Sequence, residues 1–371
     1  MVKLNIHSVI LHHVKMVLKT PFSNSLETVS NRELIIVEVI DADGYTGFGE
    51  GVAFTSPWYT EETLVTSWHM LKDFMIPKLM DTQLKHPSEV EKLFKGIRRN
   101  PMAKFAIEGA IWDLFSKKEE ISLAKALGGL ATSIKAGVAV GASNPEAMLY
   151  EISKRIEEGY ERIKVKIKPS QDIAIIKAIR NAFPDIQLMA DANSAYSLDD
   201  IDRLRAIDEF GLLMIEQPLA ADDIVDHSIL QKELVTPICL DESIASYDDA
   251  RRALDLESCG VINIKPGRVG GLSISKKIHD LCAQRGIPVW CGGMLESGIG
   301  RAHNIALSSL PNFTIPGDVS ASSRYWERDL ILPAVTMNEG LIAVPDGDGI
   351  GFEINREELE RVTLSKEVIL F

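Results

Sequence analysis

Five polar residues recur at nearly equal intervals through the middle of the chain, each at or near the end of a short apolar run. They lie 25, 25, 25 and 24 residues apart and are Lys166, Asp191, Glu216, Asp241 and Lys265. Each apolar run has the length and composition of a buried strand, and each is followed by a segment with helical spacing. A strand–loop–helix unit repeated at this period predicts a parallel barrel with a site at its mouth.

Eight apolar segments in the second part of the chain are predicted to be barrel strands, with helical segments between them. These strands are 137–141, 162–167, 186–192, 212–217, 237–241, 261–265, 288–291 and 313–316. No clear closing helix follows the eighth strand, and the chain instead carries a turn-rich, strand-like stretch at 340–354. We therefore predict an α/β fold, a modified TIM barrel of (β/α)7β type.

The amino-terminal part of the chain has a different pattern. Alternating apolar and polar positions predict antiparallel strands at 2–19, 33–41 and 45–51. Helical spacing predicts helices at 61–79 and 87–97. A further helix is predicted to start at Asn100-Pro101, with Asn100 as its N-cap. Antiparallel strands followed by helices are typical of an α+β domain that is distinct from the barrel.

These patterns divide the chain into three parts. An α+β capping domain is predicted over 1–127, and the barrel with the site over 128–325. The remaining segment, 326–371, is predicted to leave the barrel and rejoin the capping domain.

Composition excludes several classes of partner. The chain has 371 residues and a formal net charge of −13, with no dense Lys/Arg block, which argues against nucleic acid. No apolar run approaches the roughly 20 residues of a membrane helix, and the amino terminus lacks a signal-peptide pattern. The four cysteines form no CxxC pair, so we expect buried thiols in a reducing compartment and a cytoplasmic protein.

Three of the five polar residues are carboxylates on consecutive predicted strands. Strands in a sheet lie about 4.8 Å apart, so Asp191, Glu216 and Asp241 are expected to gather at the barrel mouth. Such a group would need a cation, and an all-oxygen set favours Mg²⁺ or Mn²⁺ over zinc. The alternative is three unrelated surface acids, which the regular spacing makes a poor explanation.

The lysines flank these carboxylates. Lys164 and Lys166 lie two apart on one strand, so they share a face, and Lys168 continues the phase. Lys265 would approach from the opposite side of the cation, whose charge would lower the pKa of the amine, and Arg268 could add to that effect. This arrangement suits removal of a proton α to a metal-bound carboxylate.

Two other readings of the lysines stay open. A barrel lysine also suits a Schiff-base aldolase, but that chemistry gives no role to the three carboxylates or to a second lysine. A barrel kept only as a binding or structural protein would not need all five residues.

Weaker signals concern the rim of the predicted site. Aromatic residues in loops, Phe22 within 20–24 and Phe54 and Trp58 within 54–59, either pack locally or cover a ligand. Gly293 and Met294 follow the seventh predicted strand, where close backbone approach could serve a carboxylate or simply make a tight turn.

Several stretches together resemble one known family. They are KVK at 164–166, ADAN at 190–193, IEQP at 215–218, LDES at 240–243, INIKPGRVGG at 262–271 and WCGGMLESGIGRAHN at 290–304. The chain resembles the enolase superfamily and its muconate-lactonizing-enzyme-like subgroup over nearly its whole length. It is most similar there to the o-succinylbenzoate synthase / N-succinylamino acid racemase family.

The resemblance implies a set of roles. Asp191, Glu216 and Asp241 would bind Mg²⁺, with Mn²⁺ or another divalent cation as a substitute. Lys166 and Lys265 would be the acid/base pair, a use of lysine with Mg²⁺ that is general for the superfamily. The residues expected to bind substrate or support the pair are Lys164, Asn193, Arg268, Gly293, Met294, Phe22, Phe54 and Trp58. The family also implies a homo-oligomer.

The resemblance further implies a carbon–oxygen lyase acting on a small carboxylate. The reaction would be dehydration of 2-succinyl-6-hydroxy-2,4-cyclohexadiene-1-carboxylate in menaquinone biosynthesis, with Lys166 as base and Lys265 stabilising the anion. Racemisation of N-succinyl or other N-acylamino acids would use both lysines, one on each face, in an added or dedicated activity. The sequence does not choose between them.

Absences narrow the subgroup. No histidine follows the seventh predicted strand, where mandelate-racemase-like members carry one. Dipeptide epimerases carry a DxD after the eighth strand, but here Asp318 is followed by Val319 and Ser320.

Overall fold

Two large sheets organise the chain, one antiparallel and one parallel. The structure is a computed structural model that describes residues 3–23, 27–80, 82–141 and 144–371. Its strands are β1 (Ile6–Ser23), β2 (Thr28–Asp41), β3 (Thr46–Gly51), β4 (Ser133–Lys135), β5 (Gly137–Val140), β6 (Arg162–Lys166), β7 (Gln187–Asp191), β8 (Ile215–Glu216), β9 (Ile238–Leu240), β10 (Val261–Ile264), β11 (Val289–Cys291), β12 (Ile331–Leu332), β13 (Leu341–Ala343), β14 (Glu353–Ile354) and β15 (Thr363–Leu370).

Helices cover the parallel sheet and one face of the antiparallel sheet. They are α1 (Leu64–Met70), α2 (Ile76–Met80), α3 (Glu89–Leu93), α4 (Pro101–Lys118), α5 (Leu123–Leu127), α6 (Pro145–Glu157), α7 (Asp172–Ala182), α8 (Ile201–Asp208), α9 (Val225–Glu233), α10 (Tyr247–Asp255), α11 (Pro266–Val269), α12 (Leu272–Gln284), α13 (Gly298–Ser308) and α14 (Arg356–Val362). A π-helical turn, Leu71–Met75, joins α1 to α2 and interrupts the helix predicted at 61–79.

The parallel sheet runs in chain order from β5 to β11, each strand bonded to the next, so the predicted barrel architecture is confirmed. The eighth predicted strand, 313–316, is not a regular strand in the described chain. Phe313 bridges Val289 of β11, and Gly317 bridges Ala136 beside β5, so this segment spans the gap between the outer strands. Pro316 has no N–H to donate, which prevents a continuous ladder here.

The antiparallel sheet has the order β15-β1-β2-β3, so the carboxyl-terminal strand pairs with the first strand of the chain. This confirms the capping domain built from both ends of the chain, while its residue boundaries stay predictions. Helix α4 lies directly on β3, since a Cβ at Gly49 would come within 2.0 Å of the Ala106 carbonyl oxygen. The tail also contains α14, which packs against β1 and was not predicted.

The start of α4 corrects one detail of the sequence argument. Asn100 occupies the N-cap position with φ 52° but makes no side-chain cap, because its amide donates to the Arg98 carbonyl instead. The carboxylate of Glu62 accepts from the free N–H groups of Met102 and Ala103, at 2.8 and 2.9 Å. A distant acid has therefore replaced the local cap, which the sequence could not reveal.

Two further features of the fold are the burial of the cysteines and the length and apolar character of the helices. Cys239, Cys259, Cys282 and Cys291 are all buried and unbonded to one another, as predicted. Within the described residues, none of the helices combines the length and the apolar character that crossing a membrane requires.

Glu50 ties the capping domain to the barrel. From β3 its carboxylate accepts hydrogen bonds from the N–H groups of Ser297 and Gly300, at 3.0 and 2.9 Å, and from the Ser297 hydroxyl. These donors lie at the start of α13. The pKa of Glu50 is raised to about 7, because burial, helped by the charge of Glu296, outweighs the three hydrogen bonds that would lower it.

This raised pKa predicts a pH-dependent stability. Between the ordinary pKa of 4.5 and about 7 the folded state binds the proton more tightly, so the free energy of unfolding should fall as pH rises. The fall attributable to Glu50 is at most about 1.4 kcal/mol per pH unit. Urea unfolding near pH 5 and pH 7 should show a shallower pH dependence for Glu50→Gln than for the wild type. A Glu209→Gln variant, changed at an exposed acid, is the control, and equal slopes in all three proteins would contradict the prediction.

Candidate active site

The five regularly spaced residues end neighbouring strands of the barrel. Lys166, Asp191 and Glu216 are the last residues of β6, β7 and β8, while Asp241 and Lys265 come directly after β9 and β10. In the sheet register, Lys166 pairs with Asp191 and Asp191 with Glu216. The carboxyl ends of parallel strands meet at one edge, so the period of about 25 residues places all five at the same mouth.

A cavity of about 880 Å³ opens at this mouth, between the barrel and the loops of the capping domain. Of the predicted site residues, those that line it are Phe22, Phe54, Trp58, Lys164, Lys166, Asp191, Asn193, Asp241, Lys265, Gly293 and Met294. Glu216 and Arg268 lie behind the wall, with side chains 0% and 1% exposed. The structure therefore brings the whole predicted set together, eleven residues on the surface of the cavity and two beneath it.

Lys166 stands on one side of the cavity. Its Nζ lies 2.6 Å from Asp191 Oδ2 and 2.5 Å from Asn193 Oδ1, and it is the most exposed of the candidate lysines. Lys168, expected to continue the same phase, is exposed and lies beyond the end of β6. The strand ends at Lys166, so only Lys164 and Lys166 share the inner face.

Lys265 stands on the other side, in a second polar cluster. Its Nζ donates to Asp241 Oδ2 at 2.9 Å and to the Tyr59 hydroxyl at 2.8 Å. Arg268 donates to Asp241 Oδ1, to the Tyr59 hydroxyl at 3.1 Å and to the Ile244 and Asn263 carbonyls. The guanidinium of Arg268 is thus committed to Asp241 and to backbone oxygens.

Lys164 is buried at the base of the cavity. Its Nζ lies 2.5 Å from Asp318 Oδ2, 3.3 Å from Glu216 and 3.5 Å from Asp191. Asp318 also accepts from Arg162 at 2.7 Å. Asp318 therefore joins the segment that spans the barrel gap to Arg162 and Lys164 of β6, and this contact orients the base of the site.

Neighbouring charges shift the pKa values in opposite directions. Burial would raise the pKa of Asp191, but the positive charges of Lys166 and Lys164 outweigh it and lower that pKa. Burial raises the pKa of Glu216, and the negative charge of Asp191 adds to the rise. The two carboxylates thus crowd each other strongly enough for one to hold its proton more tightly.

Lys265 departs from the sequence-based expectation. We expected a lowered pKa, with Arg268 adding to the effect. Burial does act in that direction, but Tyr59, Glu216 and Glu242 outweigh it and raise the pKa of Lys265 above its usual value. A lowered pKa would need an additional cation among these carboxylates.

Asp191, Glu216 and Asp241 are the residues predicted to hold a metal ion. In the described part of the chain, no three His, Cys, Asp or Glu side chains are arranged to hold a metal directly. The carboxylate oxygens are paired with four cations, Lys164, Lys166, Lys265 and Arg268. The donor set still suits a hard divalent cation, because it is all oxygen and sits on consecutive strand ends, where Asp191 raises the pKa of Glu216.

Residues with positive φ directly follow β7 and β8, two of the strands that carry the carboxylates. Asn193, Ser194 and Gln217 have φ values of 40°, 63° and 41°, which side chains other than glycine rarely adopt. The Gln217 amide accepts from the Asp241 N–H at 3.0 Å and donates to the Ser243 hydroxyl at 2.7 Å. Gln217 thus holds the turn after β9 in place, and with it Asp241.

The predicted rim residues lie where the loop argument put them. Phe54 and Trp58 pack against each other with ring centroids 4.5 Å apart while both line the cavity, so local packing and a lining position coexist. Phe22 lines the same cavity, whereas Asn24 of that loop lies outside the described residues. Gly293 is needed for close approach, because a Cβ there would lie 2.8 Å from the Asp318 carbonyl oxygen.

Three polar residues of the site were missed by the sequence argument. Tyr59 contacts Lys265 and Arg268, but the sequence argument included it only as part of the loop 54–59. Asp318 was used only to argue against another subgroup. Glu242 was missed because it directly follows Asp241. The signal that could have identified it is a second acidic residue after the same predicted strand.

Two family models match the chain. Residues 6–128 match the mandelate racemase / muconate lactonizing enzyme N-terminal domain, and residues 147–359 match the model described as enolase C-terminal domain-like. The chain belongs to the enolase superfamily. It is therefore an enzyme, and enzymes of this superfamily generally use a divalent metal ion.

Relatives narrow the position within the superfamily. The o-succinylbenzoate synthase of Geobacillus stearothermophilus is 60% identical over 361 residues, which cover 97% of this chain and 96% of the relative. The N-succinylamino acid racemase of Thermus thermophilus is 43% identical over 355 residues, covering 95% and 96%. A solved structure of an enolase superfamily member from Listeria innocua matches with a TM-score of 0.97 and 44% identity, over 99% of each chain.

Proposed function

We propose that this enolase superfamily member is an o-succinylbenzoate synthase that also racemises N-succinylamino acids. The observation that carries the proposal is the placement of two lysine amines, Lys166 and Lys265, on opposite sides of one cavity with carboxylates between them. The names of the most similar relatives support the same pair of activities.

Asp191, Glu216 and Asp241 would hold the cation, for which we propose Mg²⁺, with Mn²⁺ as a substitute. Once bound, such a cation would neutralise the negative charge that develops on a substrate carboxylate as its α-proton leaves. The lysines and Arg268 that now pair with these oxygens supply part of that neutralisation in the structure.

In the dehydration, Lys166 would take the proton from the carbon that bears the substrate carboxylate. The protonated Lys166 amine would then give a proton to the ring hydroxyl, which leaves as water as its C–O bond breaks, and the ring becomes aromatic. Lys265, on the opposite side, would stabilise the anion through its positive charge. Lys164, held by Asp318, would support Lys166 or the substrate carboxylate.

A dedicated N-succinylamino acid racemase is the second candidate. Racemisation needs one proton donor and one acceptor on opposite faces of the same carbon, and the two lysines meet that need. The 43% identical racemase of Thermus thermophilus favours this reading. The N-acyl group and amino-acid side chain would be accommodated by the aromatic rim of Phe22, Phe54 and Trp58.

Dipeptide epimerisation fits this site poorly. Asp318, where a DxD motif would begin, is paired with Lys164 and Arg162, so its charge is already used. Ser320 occupies the position of the second acid. A site of this kind offers no excess negative charge at that position to bind a dipeptide ammonium group.

The wider setting of the enzyme is also part of the proposal. We place it in the cytoplasm, in menaquinone biosynthesis, as a homo-oligomer that acts on a small-molecule carboxylate.

The proposal predicts two measurable reactions. With Mg²⁺, the protein should convert 2-succinyl-6-hydroxy-2,4-cyclohexadiene-1-carboxylate to o-succinylbenzoate, followed by absorbance. In deuterated water it should exchange the α-proton of N-succinylphenylalanine, followed by proton NMR. Dehydration without exchange would leave the synthase alone, and exchange without dehydration would favour the dedicated racemase. The absence of both reactions would refute both candidates.

A further inference from the structure

Two hydrogen bonds connect Lys166, through Asn193, to Glu242, a buried acid that the proposed mechanism does not use. Lys166 Nζ donates to Asn193 Oδ1 at 2.5 Å, and Asn193 Nδ2 donates to Glu242 Oε1 at 3.0 Å. The acid comes from the turn after β9 and the amide from the turn after β7. The contact therefore spans two turns of the barrel mouth.

The chemistry of these groups fixes the orientation of the Asn193 amide. An ammonium group can only donate, and a carboxylate can only accept. The amide must therefore present its oxygen to Lys166 and its NH₂ to Glu242. A rotated amide would place two donors face to face at Lys166.

The backbone of Asn193 leaves the amide little other freedom. Its φ of 40° is an uncommon conformation, and its N–H donates to Asp191 Oδ1 at 3.1 Å. The next residue, Ser194, donates its N–H to the Gln217 carbonyl at 2.8 Å. These backbone contacts do not fix the rotation of the side-chain amide, so its orientation depends on the hydrogen bond to Glu242.

Glu242 is also an unusual group to bury. Its Oε2 is buried and has no hydrogen-bond partner among the described residues. Leaving a buried carboxylate oxygen unbonded is costly, on the order of 1–3 kcal/mol or more for a charged group. Glu242 interacts with the charge of Lys265, but the close ion pair of Lys265 is with Asp241. The only hydrogen bond of the Glu242 carboxylate in the described chain is the one from Asn193.

We propose that Glu242 is a positioning residue for Lys166, acting through the Asn193 amide. It rests on the proposed function, in which Lys166 removes an α-proton. Glu242 does not touch the reacting atoms. It holds the amide oxygen toward Lys166, and this contact fixes the direction in which the amine meets the substrate.

The test compares the two faces of the substrate. Lys166→Ala first identifies the enantiomer of N-succinylphenylalanine whose α-proton Lys166 removes. Glu242→Met keeps the length of the side chain but has no oxygen to accept from Asn193, and it should then slow deuterium exchange of that enantiomer by roughly 10- to 100-fold, the usual cost of losing an outer positioning contact. Exchange of the other enantiomer, which depends on Lys265, should change much less. In the dehydration assay kcat should fall while KM changes little.

A double-mutant cycle separates positioning from a general loss of charge. Asn193→Gly removes the amide and suits the positive φ of this residue. In the Asn193→Gly background, Glu242→Met should have no further effect on the Lys166 face, because the hydrogen bonds that connect Glu242 to Lys166 are already lost. Glu209→Gln, changed at an exposed acid at the end of α8, controls for the loss of one negative charge.

A crystal structure of Glu242→Met gives a readout that does not depend on turnover, and it should show Lys166 Nζ out of hydrogen-bond distance of Asn193 Oδ1. Additive effects in the cycle, equal slowing of both enantiomers or an unchanged contact would each overturn the inference. A wild type without either reaction would instead remove the proposed function, and this inference with it.

Discussion

Lys166→Ala is expected to abolish both dehydration and α-proton exchange on the Lys166 face. The loss in kcat should be roughly 10²- to 10⁴-fold, the usual contribution of a positioned acid/base group. The structural reason is that Lys166 is the amine on its side of the cavity with appreciable exposure, whereas Lys164 is buried in ion pairs with Asp318 and Glu216. Lys164 therefore cannot replace it. Steady-state absorbance and NMR exchange assays measure the two losses.

Lys168→Ala is the matched control for this variant. It removes the same side chain two residues further on, at an exposed position beyond the end of β6, and should retain wild-type rates. Both variants should have the circular dichroism spectrum of the wild type. Dehydration at an appreciable fraction of the wild-type rate in Lys166→Ala would remove Lys166 from the mechanism.

The regular spacing predicted the barrel and the location of the site because both follow from strand geometry. A period of about 25 residues fixes the strand–helix unit, and the ends of parallel strands must meet at one edge. That logic placed Lys166, Asp191, Glu216, Asp241 and Lys265 at one mouth without any knowledge of contacts. The strand predicted at 313–316 was wrong, because Pro316 has no N–H to donate and the segment makes isolated bridges in place of a ladder.

Contacts between distant segments could not be predicted in this way. Tyr59 comes from a capping-domain loop and reaches Lys265, 206 positions later in the chain. Asp318 reaches Arg162 across 156 positions. The spacing of residues along the chain does not predict such pairs. They depend on where the capping-domain loops and the segment that spans the gap between the outer strands lie over the barrel.

The ion pairing within the site was also beyond the sequence argument. Spacing indicated that three carboxylates and two lysines would share one mouth, and it suggested that a cation lies at the centre. It could not show that Lys166 and Lys265 each pair with a carboxylate in the structure, or that burial and Asp191 raise the pKa of Glu216. These depend on distances of a few ångströms, whereas the period fixes only which strand end a residue occupies.

Removal of divalent cations should abolish both proposed reactions and lower the thermal stability of the protein. A ligand that binds only the folded state stabilises it by about 2.7 kcal/mol at 100 times its Kd. Adding Mg²⁺ to chelator-treated protein should therefore raise the unfolding temperature measurably and restore turnover. Mn²⁺ should do the same, because the expected donors are all oxygen.

Glu216→Gln is the variant that ties this effect to the site. Glu216 is fully buried and burial already disfavours its charge, so a neutral amide of the same shape should be tolerated when no metal is added. Asn263 and Lys164 lie beside it, and Lys164 keeps its contact with Asp318. The variant should fold with near wild-type stability in chelator but lose both the Mg²⁺-induced rise in unfolding temperature and the activity. Glu209→Gln, an acid outside the site, should keep both. A Glu216→Gln protein that still gains stability from Mg²⁺ would show that the cation binds elsewhere, because Glu216 is one of the three residues that would hold it.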